Sequence, residues 1–318
     1  MIHRILVPLD GSTRAEAVLP HVVAIATVFR SRVDLLHVLP GTAVGDRYRP
    51  SDPMSCRLAR ANRSRYLAGR ARIMAGEGLD VHSRTLEGGP AEVIVDLASG
   101  NDYDLVALTP HGTGQSRHLA MGCTATGVVL NARCSTLLAM GSKPGPDDAE
   151  VPPVMYRKIL SPVDCSPRSD WCLKVASDLA RGSGARLQAV HVLDPPQLVS
   201  RMPLDEATRA LVDGVVRANR AEATQYLDSI VRRLGGDGAT MESRVLPGSA
   251  GGVAQVVCRR VASEGIDLVV LSAHGRGQSS GGRIGGTAME LLLGVHRPVL
   301  ILQDPAAGSS HNSPRNMR

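Results

Sequence analysis

Short apolar runs and longer stretches of helical spacing alternate along this chain, and they do so twice. Arg4–Leu9 is a compact apolar run of strand length. Arg14–Phe29 carries Val18, Val22 and Ile25 at helical spacing and predicts an amphipathic helix. Val33–Leu39 reads as a strand, Ser55–Ala75 as a helix ended by Gly76 and Gly78, and Val81–Leu86 as a strand. Ala91–Ser99 reads as a helix and Leu105–Thr109 as a strand. A glycine-rich loop, a helix from Thr124 to Asn131 and a last strand at Thr136–Met140 follow. Apolar strands that alternate with helices belong to a parallel sheet covered on both faces. The pattern predicts a five-stranded α/β domain.

The same order then returns. Ile5-Leu6-Val7-Pro8-Leu9-Asp10-Gly11-Ser12 recurs as Ile159-Leu160-Ser161-Pro162-Val163-Asp164-Cys165-Ser166. His37-Val38-Leu39 recurs as His191-Val192-Leu193, and Asp104–Leu108 as Asp267–Leu271. His111-Gly112-Thr113-Gly114-Gln115-Ser116 recurs as His274-Gly275-Arg276-Gly277-Gln278-Ser279. The spacing widens only through the middle, where loops and helices tolerate insertions. The chain is therefore a duplication. Its expected units are 1–141 and 157–304, with a proline-rich, acidic linker at 142–156 and a small, polar tail at 305–318 expected to be disordered.

Composition narrows the functional classes. A length of 318 residues suits two domains, and 43% hydrophobic with 21% charged residues is an ordinary globular balance. No apolar run reaches the ~18 residues of a membrane span, and no leader precedes the first strand, so the expected location is the cytoplasm. The net charge is +6, but three of the cations are lysine (Lys143, Lys158, Lys174) and the rest are arginines spread thinly. The densest stretch, Arg57 to Arg72, reads as the solvated face of one helix. Five Tyr, one Trp and one Phe are too few for a base-stacking platform, so neither nucleic acid nor membrane is an expected partner. Six cysteines without any CxxC pair argue for free thiols and against a zinc module. Cys123 reads as a small packing residue, and His37 and His191 as core histidines.

In open parallel sheets, ligands bind beyond the carboxyl ends of strands where the strand order reverses. Asp10 and Asp164 close the first strand of each copy, and His111-Gly112 and His274-Gly275 close the fourth. If those strands are neighbours, the two features face one crevice. Loop amides and the next helix N-terminus then offer donors to a phosphate. The aspartates also fit an Asx-turn or helix cap, and the loop histidines fit a bracing role better than acid–base work.

These residues carry a specific resemblance. The chain is similar to a tandem universal stress protein, two domains of the UspA type, over nearly all of 2–140 and 157–303. Nucleotide-binding members carry Gly-x-x-Gly, nine residues, then Gly followed by Ser or Thr. Here the first copy reads Thr109-Pro-His-Gly112, nine residues, Gly122-Cys123-Thr124, and the second Ser272-Ala-His-Gly275, nine residues, Gly285-Gly286-Thr287. Thr109 and Ser272 replace the first glycine, and Cys123 and Gly286 stand where the family has a hydroxyl. The resemblance also implies that Asp10 with Val38, and Asp164 with Val192, help hold the nucleoside. It implies α/β architecture in two repeated five-stranded parallel-sheet sandwiches, Rossmann-like and adenine-nucleotide-binding, arranged around a pseudo-twofold axis. The last strands of the two copies are expected to pair with each other, because each is otherwise an exposed apolar edge.

The implied ligand is ATP, with Mg²⁺ held mainly by its phosphates, in at least one copy. The second copy is favoured for its extra loop glycines, Gly281, Gly282, Gly285 and Gly286. Competing motifs fail. Gly277-Gln-Ser279-Ser-Gly281 fits the GxSxG pattern, but Ser279 is too far past the strand to be a nucleophile elbow. No glycine precedes Lys-Ser or Lys-Thr, which excludes a Walker loop. The expected function is a nucleotide-sensing stress regulator and not an enzyme. The alternatives are a nucleotide-free scaffold of the same fold and a slow ATPase. Expected partners are adenine nucleotide and protein partners that the sequence does not name. The two copies should form an intrachain pseudo-dimer, open to further pairing as a homodimer.

Overall fold

A computed structural model describes residues 1–39, 53–100, 102–112, 121–140, 151–193, 205–235, 240–276 and 284–303. The first copy runs β1 (Arg4–Pro8), α1 (Thr13–Glu16), α2 (Leu19–Phe29), β2 (Arg32–Leu39), α3 (Pro53–Gly76), β3 (Val81–Glu87), α4 (Pro90–Ser99), β4 (Leu105–Leu108), α5 (Cys123–Asn131) and β5 (Ser135–Leu138). The second runs β6 (Lys158–Pro162), α6 (Pro167–Ser183), β7 (Arg186–Leu193), α7 (Glu206–Leu234), β8 (Met241–Pro247), α8 (Gly252–Glu264), β9 (Leu268–Ser272), α9 (Gly286–Gly294) and β10 (Val299–Leu302).

All ten strands form one sheet, ordered β3-β2-β1-β4-β5-β10-β9-β6-β7-β8. Pairing is parallel within each copy, and the two halves join through antiparallel β5 and β10, with Leu300 opposite Leu137. The expected pairing of the last strands is what the structure shows. It turns two apolar edges into the buried centre of a continuous sheet, and relates the halves by a pseudo-twofold axis between β5 and β10. Each half reverses strand order between its first and fourth strands, β1/β4 and β6/β9.

Helices cover both faces. On one face α2, α3 and α6 bury a core shared by the copies, including Ile25, Leu67, Tyr156 and Leu179. On the other face α4, α5, α8 and α9 cover the central strands, burying Val106, Leu108, Val269 and Leu271. Gly182 of α6 lets that helix approach α2, because a Cβ there would stand 2.6 Å from both Val28 methyls.

One expectation is corrected. The helix read over Arg14–Phe29 is broken into α1 and α2, since Pro20 has no N–H to offer the Glu16 carbonyl and its ring crowds that turn. At the equivalent place the second copy has Lys174, and α6 runs unbroken. The end of the expected linker packs against the first copy. Val151 and Tyr156 are buried, the Val154 N–H donates to the Pro20 carbonyl at 3.1 Å, and Tyr156 Oη lies 2.8 Å from His21 Nδ1. Three apolar residues within six make docking more favourable than exposure. Residues 142–150 and the tail expected at 305–318 lie outside the described residues.

Candidate functional site

The crevice geometry begins with the aspartates. Asp10 follows β1 and accepts from the Ser12 N–H at 2.9 Å and the Ser12 hydroxyl at 2.6 Å. Ser12 then caps α1 through the Ala15 N–H. Asp164 follows β6 and accepts from the Ser166 N–H at 3.1 Å and from the Ser169 hydroxyl, while Ser166 caps α6. The Asx-turn role is thus real in both copies, but it uses only one carboxylate oxygen. The other, Oδ2, faces the fourth-strand loop. In each copy it lies where a Cβ on the second motif glycine, Gly112 or Gly275, would stand, so only glycine fits. The Arg276 N–H donates to Asp164 Oδ2.

Burial alone would raise the Asp164 carboxyl. Hydrogen bonds from Ser166, Ser169 and the Arg276 amide outweigh it and hold the pKa below the usual carboxylate range. Asp164 is therefore a carboxylate near neutral pH.

The replacements of the first motif glycine have a structural role. The Thr109 hydroxyl donates to the His111 carbonyl at 3.0 Å, and the Ser272 hydroxyl to the His274 carbonyl at 2.6 Å. Each ties its own loop into a turn. The third glycine closes the far side: the Gly122 N–H donates to Pro110 O at 2.8 Å, and the Gly285 N–H to Ala273 O at 2.7 Å. Gly122 and Gly285 then serve as N-caps of α5 and α9 without any side-chain cap bond. A glycine N-cap offers the first amides of these nine-residue helices no side-chain acceptor of its own, the arrangement that favours an anion. A Cβ on Gly286 would meet nothing within 4 Å.

Cys123, expected to pack, is exposed at the start of α5, with the half-buried Thr124 beside it. The helix direction turns its side chain out of the core, where Ala125 and Val128 sit. The strand histidines are straps. His37 Nδ1 lies 2.7 Å from Leu9 O, and His191 Nδ1 2.8 Å from Val163 O. A carbonyl only accepts, so Nδ1 carries the proton in both. His37 is buried as expected, and burial pushes its pKa down. His191 is only half-buried and faces a cleft.

That cleft, about 960 Å³, lies at the carboxyl ends of β6, β7 and β9. It collects every second-copy residue singled out from the motifs: Asp164, Val192, Ser272, Gly275, Gly285, Gly286 and Thr287. Sequence reasoning missed its other wall, where α7 contributes Asn219, Glu222, Ala223 and Tyr226, and it missed Arg276, whose Nη2 donates to Cys165 O at 3.1 Å. Cys165 adopts the left-handed φ of 59° that Gly11 adopts at 83°. Burial pushes its thiol up to about 11, so it is neutral.

In the first copy Asp10 faces Gly112 in the same way, and half-buried Val38 is the last residue but one of β2. The helical wall differs. The Tyr66 hydroxyl donates to Glu16 at 2.6 Å, and the Tyr226 hydroxyl donates to Asp170, the counterpart of Glu16. Leu67 and Leu227 follow, both buried. This register sets Arg63 opposite Ala223. The Arg-Ala-Asn-Arg repeats at 60–63 and 217–220 suggest a different match, Arg63 with Arg220, so the tyrosines were the signal to follow.

The sequence profile described as the universal stress protein family matches residues 1–139 and again 155–303. A universal stress protein of Mycobacterium tuberculosis is 26% identical over 237 residues, covering 72% of this chain and 71% of its own. Among solved structures, a universal stress protein from Archaeoglobus fulgidus covers 94% of this chain and 96% of its own at 15% identity, with a TM-score of 0.60. A functionally unknown protein from Pseudomonas aeruginosa covers 95% and 92% at 17% identity, with a TM-score of 0.62. Both structures share the fold. With two profile matches spanning nearly the whole chain, and a sheet whose halves repeat the same crevice, this protein belongs to the universal stress protein family.

Proposed function

We propose that the second copy binds an adenine nucleotide, ATP with Mg²⁺, and that the chain works as a nucleotide-sensing stress regulator rather than as an enzyme. One observation carries the reading: all seven second-copy motif residues line a single cleft of about 960 Å³, a volume within the range of small-ligand sites. Asp164 and Val192 form its nucleoside side. Gly275, Gly285, Gly286 and Thr287 form its phosphate side, where backbone amides at the start of α9 serve as donors. The described charged residues of the lining are Asp164, Glu222 and Glu290 against Arg276. That balance opposes a bare polyanion and favours phosphates already carrying Mg²⁺.

The regulator half of the reading rests on chemistry. Both Asp164 oxygens accept hydrogen bonds, from Ser166 and Ser169 on one and from the Arg276 amide on the other, and the Cys165 thiol stays neutral, so neither is poised as a nucleophile. Binding then acts by favouring one conformational state, which requires different affinity in two states.

Isothermal titration with Mg–ATP tests the site. Gly275→Val drives a branched side chain into Asp164 and lowers affinity at least about a hundredfold, roughly 2.8 kcal/mol. Unchanged affinity in that variant would place the nucleotide elsewhere. Purified protein should turn over ATP at no more than roughly 10⁻³ per second, far below ordinary enzymes. A rate near one per second, lost in Asp164→Ala with the fold intact, would make it an ATPase.

A further inference from the structure

The two copies differ most sharply where the first strand turns into the first helix. In the second copy Cys165 occupies that turn, and Ala223 of α7 stands across from it; both line the cleft. In the first copy the turn residue is Gly11 and the facing position on α3 is Arg63. The Arg63 guanidinium lies against Gly11: a Cβ there would collide with Nη1 and stand 3.4 Å from Cζ. The same guanidinium is close enough to act on His37, whose pKa its charge helps to lower.

The exchange is reciprocal. A small turn residue goes with a long side chain on the helix, and a larger turn residue with alanine. Space over the turn is filled from the helix in the first copy and left open beside the turn in the second. Asp10 and Val38 are the first-copy counterparts of Asp164 and Val192, which line the cleft. Among the described residues, both copies have a glycine N-cap on the following helix and a loop glycine excluded from carrying a Cβ by aspartate.

From this we infer that Arg63 closes the nucleoside side of the first crevice, so that the chain takes one adenine nucleotide, in its second copy. The inference rests on the nucleotide-binding reading of the second copy and adds its stoichiometry and the residue that sets it. A nucleoside entering the first crevice has to displace a guanidinium. In the second it meets the methyl group of Ala223. The first copy then serves as a permanently closed partner across the β5–β10 seam, and only one half of the pseudo-dimer senses nucleotide.

Calorimetric stoichiometry with Mg–ATP on the full chain tests this. Wild type should bind one equivalent, Arg63→Ala two, and the double variant Cys165→Gly with Ala223→Arg none, while its thermal unfolding stays cooperative. Two equivalents on wild type, or one on both wild type and Arg63→Ala, overturn the inference. So does one equivalent on a folded double variant. If wild type binds none and Arg63→Ala binds one, the second-copy reading fails and the closure by Arg63 stands. If neither binds, both are wrong.

Discussion

The two halves of this chain share a sheet, a strand order and a loop motif, yet their first helices are built differently. In the first copy Pro20 interrupts the helix, His21 follows it, and Glu16 is buried with Arg70. In the second copy Lys174 and Val175 hold those places, α6 is continuous, and Asp170 pairs with the exposed Arg233. Both halves keep a tyrosine, from α3 in one and α7 in the other, on that carboxylate. The shared geometry is therefore the anchor between helices, and the variable part is the charge around it. A duplication can hold its frame while one half buries charge and the other opens a cleft.

The largest difference should appear when the anchoring carboxylates are removed. Glu16 and Arg70 side chains are 6% and 14% exposed, and their bridge is 3.0 Å long. Glu16→Ala deprives the half-buried Arg70 guanidinium and the Tyr66 hydroxyl of that carboxylate, and should cost about 3 kcal/mol in urea unfolding, the lower end for breaking a buried pair. Asp170→Ala removes a partner of Arg233, which is 58% exposed, and should cost no more than about 2 kcal/mol. Equal losses would show that the two anchors are energetically alike.

His21 gives the next largest effect, and it depends on pH. Burial lowers its pKa from 6.5 to about 4, so the folded protein holds it neutral where the unfolded chain is already protonated. Its contribution is complete above pH 6.5 and is lost as pH falls toward 4, up to roughly 3 kcal/mol at about 1.4 kcal/mol per pH unit. His21→Val, which copies Val175, should flatten stability across that window. A profile as steep as wild type would assign the acid loss to other groups.

The smallest effect concerns the turn. Gly11 has φ 83°, and its Cβ position is taken by Arg63, so Gly11→Ala should destabilise by about 1–2 kcal/mol. Cys165→Gly relieves a left-handed side chain but adds unfolded-state entropy, and should change the melting midpoint by no more than a few degrees. A large loss there would mean that the Cys165 contact with His191, at 3.6 Å, matters more than its backbone.

Much of this architecture was legible in the order of residues. Periodicity placed the strands within a residue or two, and the repeated Asp-x-Ser and His-Gly segments located the crevice, because local hydrogen bonding and apolar spacing are properties of short segments. The pairing of β5 with β10 was also foreseeable, since an apolar edge strand needs a partner. Short-range signals did not reveal the role of Thr109 and Ser272, whose hydroxyls close a turn at the position of the missing glycine. The loop glycines favour the second copy. Of those, Gly281 and Gly282 lie outside the described residues, and Gly285 has the counterpart Gly122, which makes the same contact. The side-chain difference between the two crevices lies on α3 and α7, whose register against the sheet is set by Tyr66 and Tyr226 reaching carboxylates at least fifty positions earlier. A repeated Arg-Ala-Asn-Arg segment points to the wrong match because similarity along the chain carries no information about which turn of a helix meets the core. Packing of Leu67 and Leu227 against the sheet chooses that turn, and with it whether arginine or alanine faces the crevice.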